Sequence, residues 1–300
     1  MRISTNTLFD LGVNSINSQL ADLVRTQQQV ASGRRILTPS DDPVASSAVV
    51  ETERSLNITT QHLQNISNAR STLSLEESVT SSINRVYQQV RQTVVSAGNA
   101  ALNNTDRATL ATTLRSNYDE LLSLANSRDG QGEYLFAGFK TNTQPFTQTT
   151  GAAVYAGDQG QRKLQITPSR QINISDSGQD LFKPGVTGND PFQTIENFIT
   201  ALSAGGPVSA AAIDAAISGI DAAQNNALRV QTTIGSRLNE LDSTEITGQD
   251  TSLQHQTTLS NLRDVDFTKA ISDLTRQQAG LEAAQRSFVN IQGLSLFNFL

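Results

Sequence analysis

Apolar residues recur at every seventh position near the start of the chain. Phe9, Ile16, Leu23 and Val30 share one track, and Val13 and Leu20 precede two of them by three residues. Such an a/d seam predicts an amphipathic helix from about Thr5 to Ser32. Gly33 stands where a helix C′ residue belongs, and Pro39-Ser40-Asp41-Asp42-Pro43 reads as a Ser or Asp N-cap followed by a proline at the first helical position. The next pattern uses Val49, Leu56, Leu63, Ile66 and Leu73, changes phase near Leu75, and continues through Val79, Ile83, Val86, Val90 and Val94 to about Ala97. A shorter helix is predicted from Thr105 to Arg128, with Ala111, Leu114, Tyr118, Leu121 and Ala125 on one face. A helix from Pro43 to Ala97 measures about 80 Å at about 1.5 Å per residue. That exceeds the roughly 50 Å diameter of a compact globule of 300 residues, so an elongated molecule is expected.

The middle of the chain reads differently. Five of the seven prolines lie between Pro145 and Pro207, and eleven of the nineteen glycines between Gly130 and Gly206. Glu133–Ala137, Ala153–Tyr155, Lys163–Ile166 and Gln171–Ile174 are short strand-like runs set between these breakers, and Gly157-Asp158-Gln159-Gly160 is a candidate hairpin loop. From Ser209 the helical period returns. Ile213, Ile220, Ala227, Ile234 and Leu241 share a track, with Ile217 and Leu238 on the other. After Asp264-Val265-Asp266 a last seam runs through Phe267, Leu274, Leu281 and Phe288, with Ala270, Ala284 and Ile291. The pattern predicts a mainly α chain with a small β-rich inserted domain, in which long antiparallel helices form a coiled-coil rod and both termini are paired. Residues 1–42 with 264–300 would form a terminal coiled-coil domain, 43–130 with 191–263 a helical rod, and 131–190 the β-rich outer domain.

Composition narrows the function. With 22 Lys and Arg against 28 Asp and Glu the formal charge is −6, which disfavours a nucleic-acid binder. The chain has no Cys and no Trp, and its two histidines, His62 and His255, are too few for a His-rich metal site. No run of 18 apolar residues occurs and Met1 to Val13 lack the apolar core of a cleaved signal, so neither membrane insertion nor a Sec-type leader is expected. Walker A, dinucleotide-binding, Gly-x-Ser-x-Gly and His-Glu-x-x-His motifs are absent. Asp41 and Asp42 read as a helix cap rather than an acidic pair, and Asp264 and Asp266 beside Arg263 as the cap of the last helix rather than a cation site. His255 reads as structural or interfacial and His62 as surface. No catalytic residue, cofactor site or metal site is predicted.

The positive signal lies in the two ends. Neither terminal helix has enough large side chains for a core of its own, so each needs the other or a second copy. The predicted assembly interface is Phe9, Ile16, Leu20, Leu23, Val30, Leu274, Leu281, Phe288 and Ile291. Leu294, Leu296, Phe297, Phe299 and Leu300 make an apolar patch at the chain end, a candidate for covering by a partner. Seams rich in Gln and Ser would leave isolated ends only marginally helical, ordering on assembly.

These residues carry a resemblance. Met1-Arg2-Ile3-Ser4-Thr5-Asn6, Gln27-Gln28-Gln29-Val30-Ala31-Ser32-Gly33-Arg34-Arg35-Ile36-Leu37 and Pro39-Ser40-Asp41-Asp42-Pro43 resemble the amino-terminal signature of the bacterial flagellin superfamily. Leu259 to Phe267, Leu281 to Phe288 and Gly293-Leu294-Ser295-Leu296 resemble its carboxy-terminal one. Tyr134-Leu135-Phe136-Ala137-Gly138-Phe139-Lys140-Thr141 with Pro145-Phe146 favours the hook-filament junction branch over filament-forming flagellin. The resemblance implies a non-catalytic subunit whose terminal helices line a tube, with the rod helices packed outside them and the β domain facing outward. It implies self-association in a ring or tube, contacts with the first hook-associated protein and with flagellin, and a place outside the cell in the flagellum. It also implies export through the flagellar type III channel without a cleaved signal, helped by a chaperone on the carboxy-terminal region. Three alternatives stay open: a filament-forming flagellin, a cytoplasmic coiled-coil adaptor, and an enzyme in the β-rich insert using Asp158, Lys163 and Asp176.

Overall fold

The computed structural model describes residues 5–148 and 151–293. Its elements in chain order are helices α1 (Thr5–Ser32), α2 (Pro43–Ala97) and α3 (Asn104–Ala125), then strands β1 (Phe146–Thr147), β2 (Val154–Tyr155), β3 (Lys163–Thr167) and β4 (Arg170–Asn173). Helices α4 (Gly178–Phe182), α5 (Pro191–Ser203), α6 (Ala210–Arg263) and α7 (Phe267–Gly293) follow. The chain is mainly α with a small β-rich segment. It forms two compact units, residues 1–58 with 250–300 and residues 59–249.

Helix ends follow local chemistry. Gly33 takes φ +70°, the left-handed conformation that closes α1. Asp42 accepts the Ala45 amide at 3.0 Å ahead of Pro43 and so starts α2, while Asp266 accepts the amides of Thr268 and Lys269 and starts α7. Asn103 and Asp106 exchange side-chain and backbone bonds in a capping box at α3. Asp190 accepts the amides of Phe192 and Gln193, with Pro191 at the first position of α5.

In the unit of residues 59–249, the predicted stripes meet. Ile66, Leu73, Ile83, Val86, Val90 and Val94 of α2 are buried, as are Leu114, Tyr118 and Leu121 of α3 and Ile220, Ala227, Ile234 and Leu241 of α6. An aromatic group closes this core: the Phe146 ring lies 5.0 Å from Phe182 and 5.3 Å from Phe192, and Tyr118 meets Phe192 edge-on at 5.5 Å.

The β-rich segment departs from expectation in two places. Residues 133–137 are not a strand: Tyr134 to Ala137 are consecutively buried, and Tyr134 makes only an isolated bridge to Arg128. The 157–160 loop is not a hairpin turn, since β2 pairs with β1 (Phe146↔Tyr155) and β3 with β4 (Leu164↔Ile172), each antiparallel. Asp158 explains the second difference. Its carboxylate accepts the amides of Phe139 and Gly160, both at 2.8 Å, drawing the loop back toward Phe139, and neither Gly157 nor Gly160 takes the positive φ of a tight hairpin turn. Helix α5 opens the 191–263 stretch expected to belong to the helical rod. It lies within the proline-rich region, and its Phe192, Ile195, Phe198, Ile199 and Leu202 are buried at helical spacing.

Candidate assembly interface

Helices α1 and α7 pack against each other as an antiparallel pair in the unit of residues 1–58 with 250–300. Near one end the Phe9 and Phe288 rings lie 5.3 Å apart, tilted by 46°. Gly12 permits this approach, because a Cβ added there would come within 2.7 Å of the Phe288 ring. Farther along, Leu23 and Thr26 of α1 and Ala270 of α7 are buried, and the Thr26 hydroxyl is satisfied by the Asp22 carbonyl at 3.0 Å. Of the other predicted seam residues, Ile16, Val30, Leu274, Leu281 and Phe288 are half-buried. Phe9 and Leu20 keep 48% and 47% of their surface exposed. The Ile291 side chain and the chain-end group Leu294, Leu296, Phe297, Phe299 and Leu300 lie outside the described residues.

Pairing therefore uses part of the apolar surface and leaves another part open. Besides Phe9 and Leu20, the exposed apolar side chains on the two helices include Leu11, Val24, Phe267, Ile271 and Val289. Phe267 stands on the predicted seam itself and is nonetheless exposed, whereas Leu11, Val24, Ile271 and Val289 lie off the a and d tracks that the heptad reading counts. Their signal is present in the sequence: Val24, Ile271 and Val289 stand one position from the seam residues Leu23, Ala270 and Phe288, and Leu11 two from Phe9 and Val13. Apolar surface on both sides of a helix pair suits a helix that is covered twice.

The same unit contains a bonded joint. The Val265 amide donates to the Gly33 carbonyl at 2.9 Å, and the Arg35 amide donates to the Arg263 carbonyl at 2.7 Å. The Arg35 guanidinium reaches both Asp42, at 3.2 Å, and the Leu262 carbonyl, at 2.7 Å. Asp41 does not cap α2. It pairs with Arg25 at 2.6 Å and accepts the amides of Leu37 and Thr38, both at 2.9 Å, which shapes the turn after α1. Those amide bonds, first Thr38 and then Leu37, with a further contribution from Arg25, hold the Asp41 carboxyl below the usual carboxylate range. The Ala45 amide, and after it Arg35, do the same for Asp42. A groove of about 330 Å³ beside the Arg263–Glu53 ion pair is lined by Leu56, Asn57, Gln256 and Leu259, and one of about 210 Å³ by Ile36, Leu37, Val49 and Val50.

The other candidate residues have structural work. Asp264 pairs with Arg263 and bridges to Arg34, while Asp266 is a cap. His62 and His255 are partly buried. Asp158 holds two amides, Asp176 is engaged by Arg237, and Lys163 is exposed at the start of β3. Among the described residues no group of three or more His, Asp or Glu could hold a metal ion, and no helix is long and apolar enough to cross a membrane.

Residues 3–141 match the family of the bacterial flagellin N-terminal helical region. The flagellar hook-associated protein 3 of Salmonella typhimurium is 36% identical over 99% of this chain and 99% of its own length. That of Escherichia coli is 34% identical with the same coverage. A solved structure from Vibrio parahaemolyticus, described as that of a putative flagellar hook-associated protein, superposes with a TM-score of 0.71 at 28% identity, over 75% of this chain and 100% of that one. Full-length identity at this level, on a fold whose two ends pair as the seams foretold, places the chain in the flagellar hook-associated protein 3 family.

Proposed function

We propose that this chain is a structural, self-associating subunit of the bacterial flagellum that joins the hook, through the first hook-associated protein, to the flagellin filament. The observation that carries the reading is the full-length identity to hook-associated protein 3, terminal seams included. The open apolar faces of the α1 and α7 pair support it, because a subunit in a ring or tube needs surface for its neighbours after its own termini have paired. Residues 1–42 with 264–300 serve as the inner tube domain, 43–130 with 191–263 as the rod, and 131–190 as the outer domain. The interface is carried by Phe9, Ile16, Leu20, Leu23, Val30, Leu274, Leu281, Phe288 and Ile291. The subunit reaches the cell exterior through the flagellar type III channel without a cleaved signal. An export chaperone holds Leu294, Leu296, Phe297, Phe299 and Leu300 on the way. Its part is mechanical, with no catalytic step.

Deleting the gene tests this reading and separates a junction from a filament subunit. Electron microscopy of the deletion strain should show hooks without filaments, and a blot of the medium should show flagellin lost as monomer. Intact filaments and normal swimming would overturn it.

A further inference from the structure

The unit of residues 59–249 holds a buried acid that the proposed assembly does not use. Glu76 lies on the core face of α2, one turn from Leu73, and its side chain is fully buried. One carboxyl oxygen accepts the Asp176 amide at 2.9 Å. The other has no hydrogen-bond partner among the described residues, and neither does the buried Thr80 hydroxyl one turn further along.

The charges around Glu76 are already matched. Asp176, in the segment leaving β4, takes both ends of the Arg237 guanidinium from α6 at 2.8 and 3.0 Å. Arg162, on the approach to β3, is paired with Glu133 at 2.7 Å. Two cations and two carboxylates balance, and an ionised Glu76 would add a third negative charge without a cation of its own. A buried charge in that position is costly, whereas the neutral acid still accepts the Asp176 amide and can donate from its second oxygen. Burial, followed by the neighbouring Asp176 charge, pushes the Glu76 carboxyl up to about 8, against the opposing pull of the Asp176 amide, Arg237 and Arg162.

We infer that Glu76 is a proton-operated latch, fastening the segment of Ser175, Asp176 and Ser177 to α2 and α6 while protonated and loosening it when ionised. The place is suited to a latch. The Ser175 hydroxyl accepts the Arg162 amide at 3.0 Å, and just beyond, the Gly178 amide donates to the Phe136 carbonyl at 2.9 Å, so the segment ties the strands to the aromatic core.

The direction follows from linkage. The folded group holds its proton more tightly than in the unfolded chain, where its value is near 4.5. Its stabilising effect is thus complete below about pH 4.5 and weakens about tenfold in the folding equilibrium per pH unit above that, until the folded group itself ionises near pH 8.

The test compares the full chain with Glu76→Gln, which keeps an acceptor for the Asp176 amide and cannot ionise. Thermal midpoints read by circular dichroism from pH 5 to 9.5 should diverge, with the variant gaining on the parent as pH rises. At pH 9, hydrogen exchange of residues 174–182, corrected for intrinsic rates, should be faster in the parent than in the variant. Parallel midpoint curves and equal exchange would overturn the latch. Should the variant fail to fold, the parent alone decides: corrected exchange of residues 174–182 that rises through the midpoint of the Glu76 carboxyl carbon-13 titration supports the latch, and exchange flat across that midpoint, or a midpoint near 4.5, overturns it.

Discussion

Leu20 and Leu23 lie three residues apart on the same predicted seam, yet only Leu23 is buried in the α1 and α7 pair, at 8% exposure against 47%. Replacing each with alanine separates what holds the pair together from what faces outward. Leu23→Ala removes about three methylene equivalents from a buried site, about 2 kcal/mol at roughly 0.8 each, rising toward about 3 kcal/mol if the gap stays open. Leu20→Ala gives up about half as much, about 1 kcal/mol, less a few tenths because alanine favours the helix. In hydrogen exchange of the purified chain, amides of α1 around residue 23 should exchange about thirtyfold faster in Leu23→Ala and no more than about fivefold faster in Leu20→Ala. In cells the order should reverse for a charge. Leu20→Glu places a carboxylate on the open face, where the single subunit tolerates it and a neighbouring subunit would bury it. That variant should keep near-parental exchange and still fail to retain filaments. Equal exchange effects at both positions, or no protection around Leu23 in the parent, would refute the pairing within one subunit. Normal swimming of Leu20→Glu would refute the outward face.

Phe146→Ala should destabilise the unit of residues 59–249 by about 3–5 kcal/mol, because its fully buried ring touches Tyr155, Phe182 and Phe192, and the loss is read in urea unfolding. Gly12→Val should lower the helical content of the termini by circular dichroism, since the new Cβ overlaps Phe288, while Gly280→Ala, whose nearest neighbour is Gln19 at 4.0 Å, should be harmless. Asp41 and Asp42 are both held below their ordinary 3.8, so the joint they stabilise is at full strength above that pH and is lost as pH falls through the lowered values. Acid titration followed by exchange at residues 33–45 should show this loss, and Asp41→Asn with Asp42→Asn should abolish it.

The helices were legible because their evidence is local. Heptad positions such as Ile16 and Leu274, the Gly33 stop and the Asp42-Pro43 start each act within a few residues, and the element bounds fall where they indicate. Helix α5 was equally local, with Asp190-Pro191 and a Phe192, Ile195, Ile199 stripe, but the surrounding Pro and Gly obscured it. The strand partners were not legible, because pairing depends on which loop folds back, and the bond that ties the 157–160 loop to the Phe139 amide, made by Asp158, spans nineteen residues. Period alone also cannot say which face of a seam meets its own chain. Leu20 and Leu23 carry the same heptad signal and differ only in what α7 covers. Glu76 shows the limit most clearly, since one acid beside Leu73 looks like surface until Arg237 and Asp176 arrive from distant parts of the chain.

The joint at Gly33 and Val265 has a consequence for the order of folding. It is made by residues more than two hundred positions apart, as in the Arg35 bond to the Leu262 carbonyl across 227 residues. The unit of residues 59–249 is continuous, so it can collapse as soon as its own length is available. The unit of residues 1–58 with 250–300 has to wait for α7, and its loop-closure cost falls once the intervening chain is already compact. The terminal pair is thus the last part of the chain able to form and, with few buried side chains among the described residues, the first expected to open.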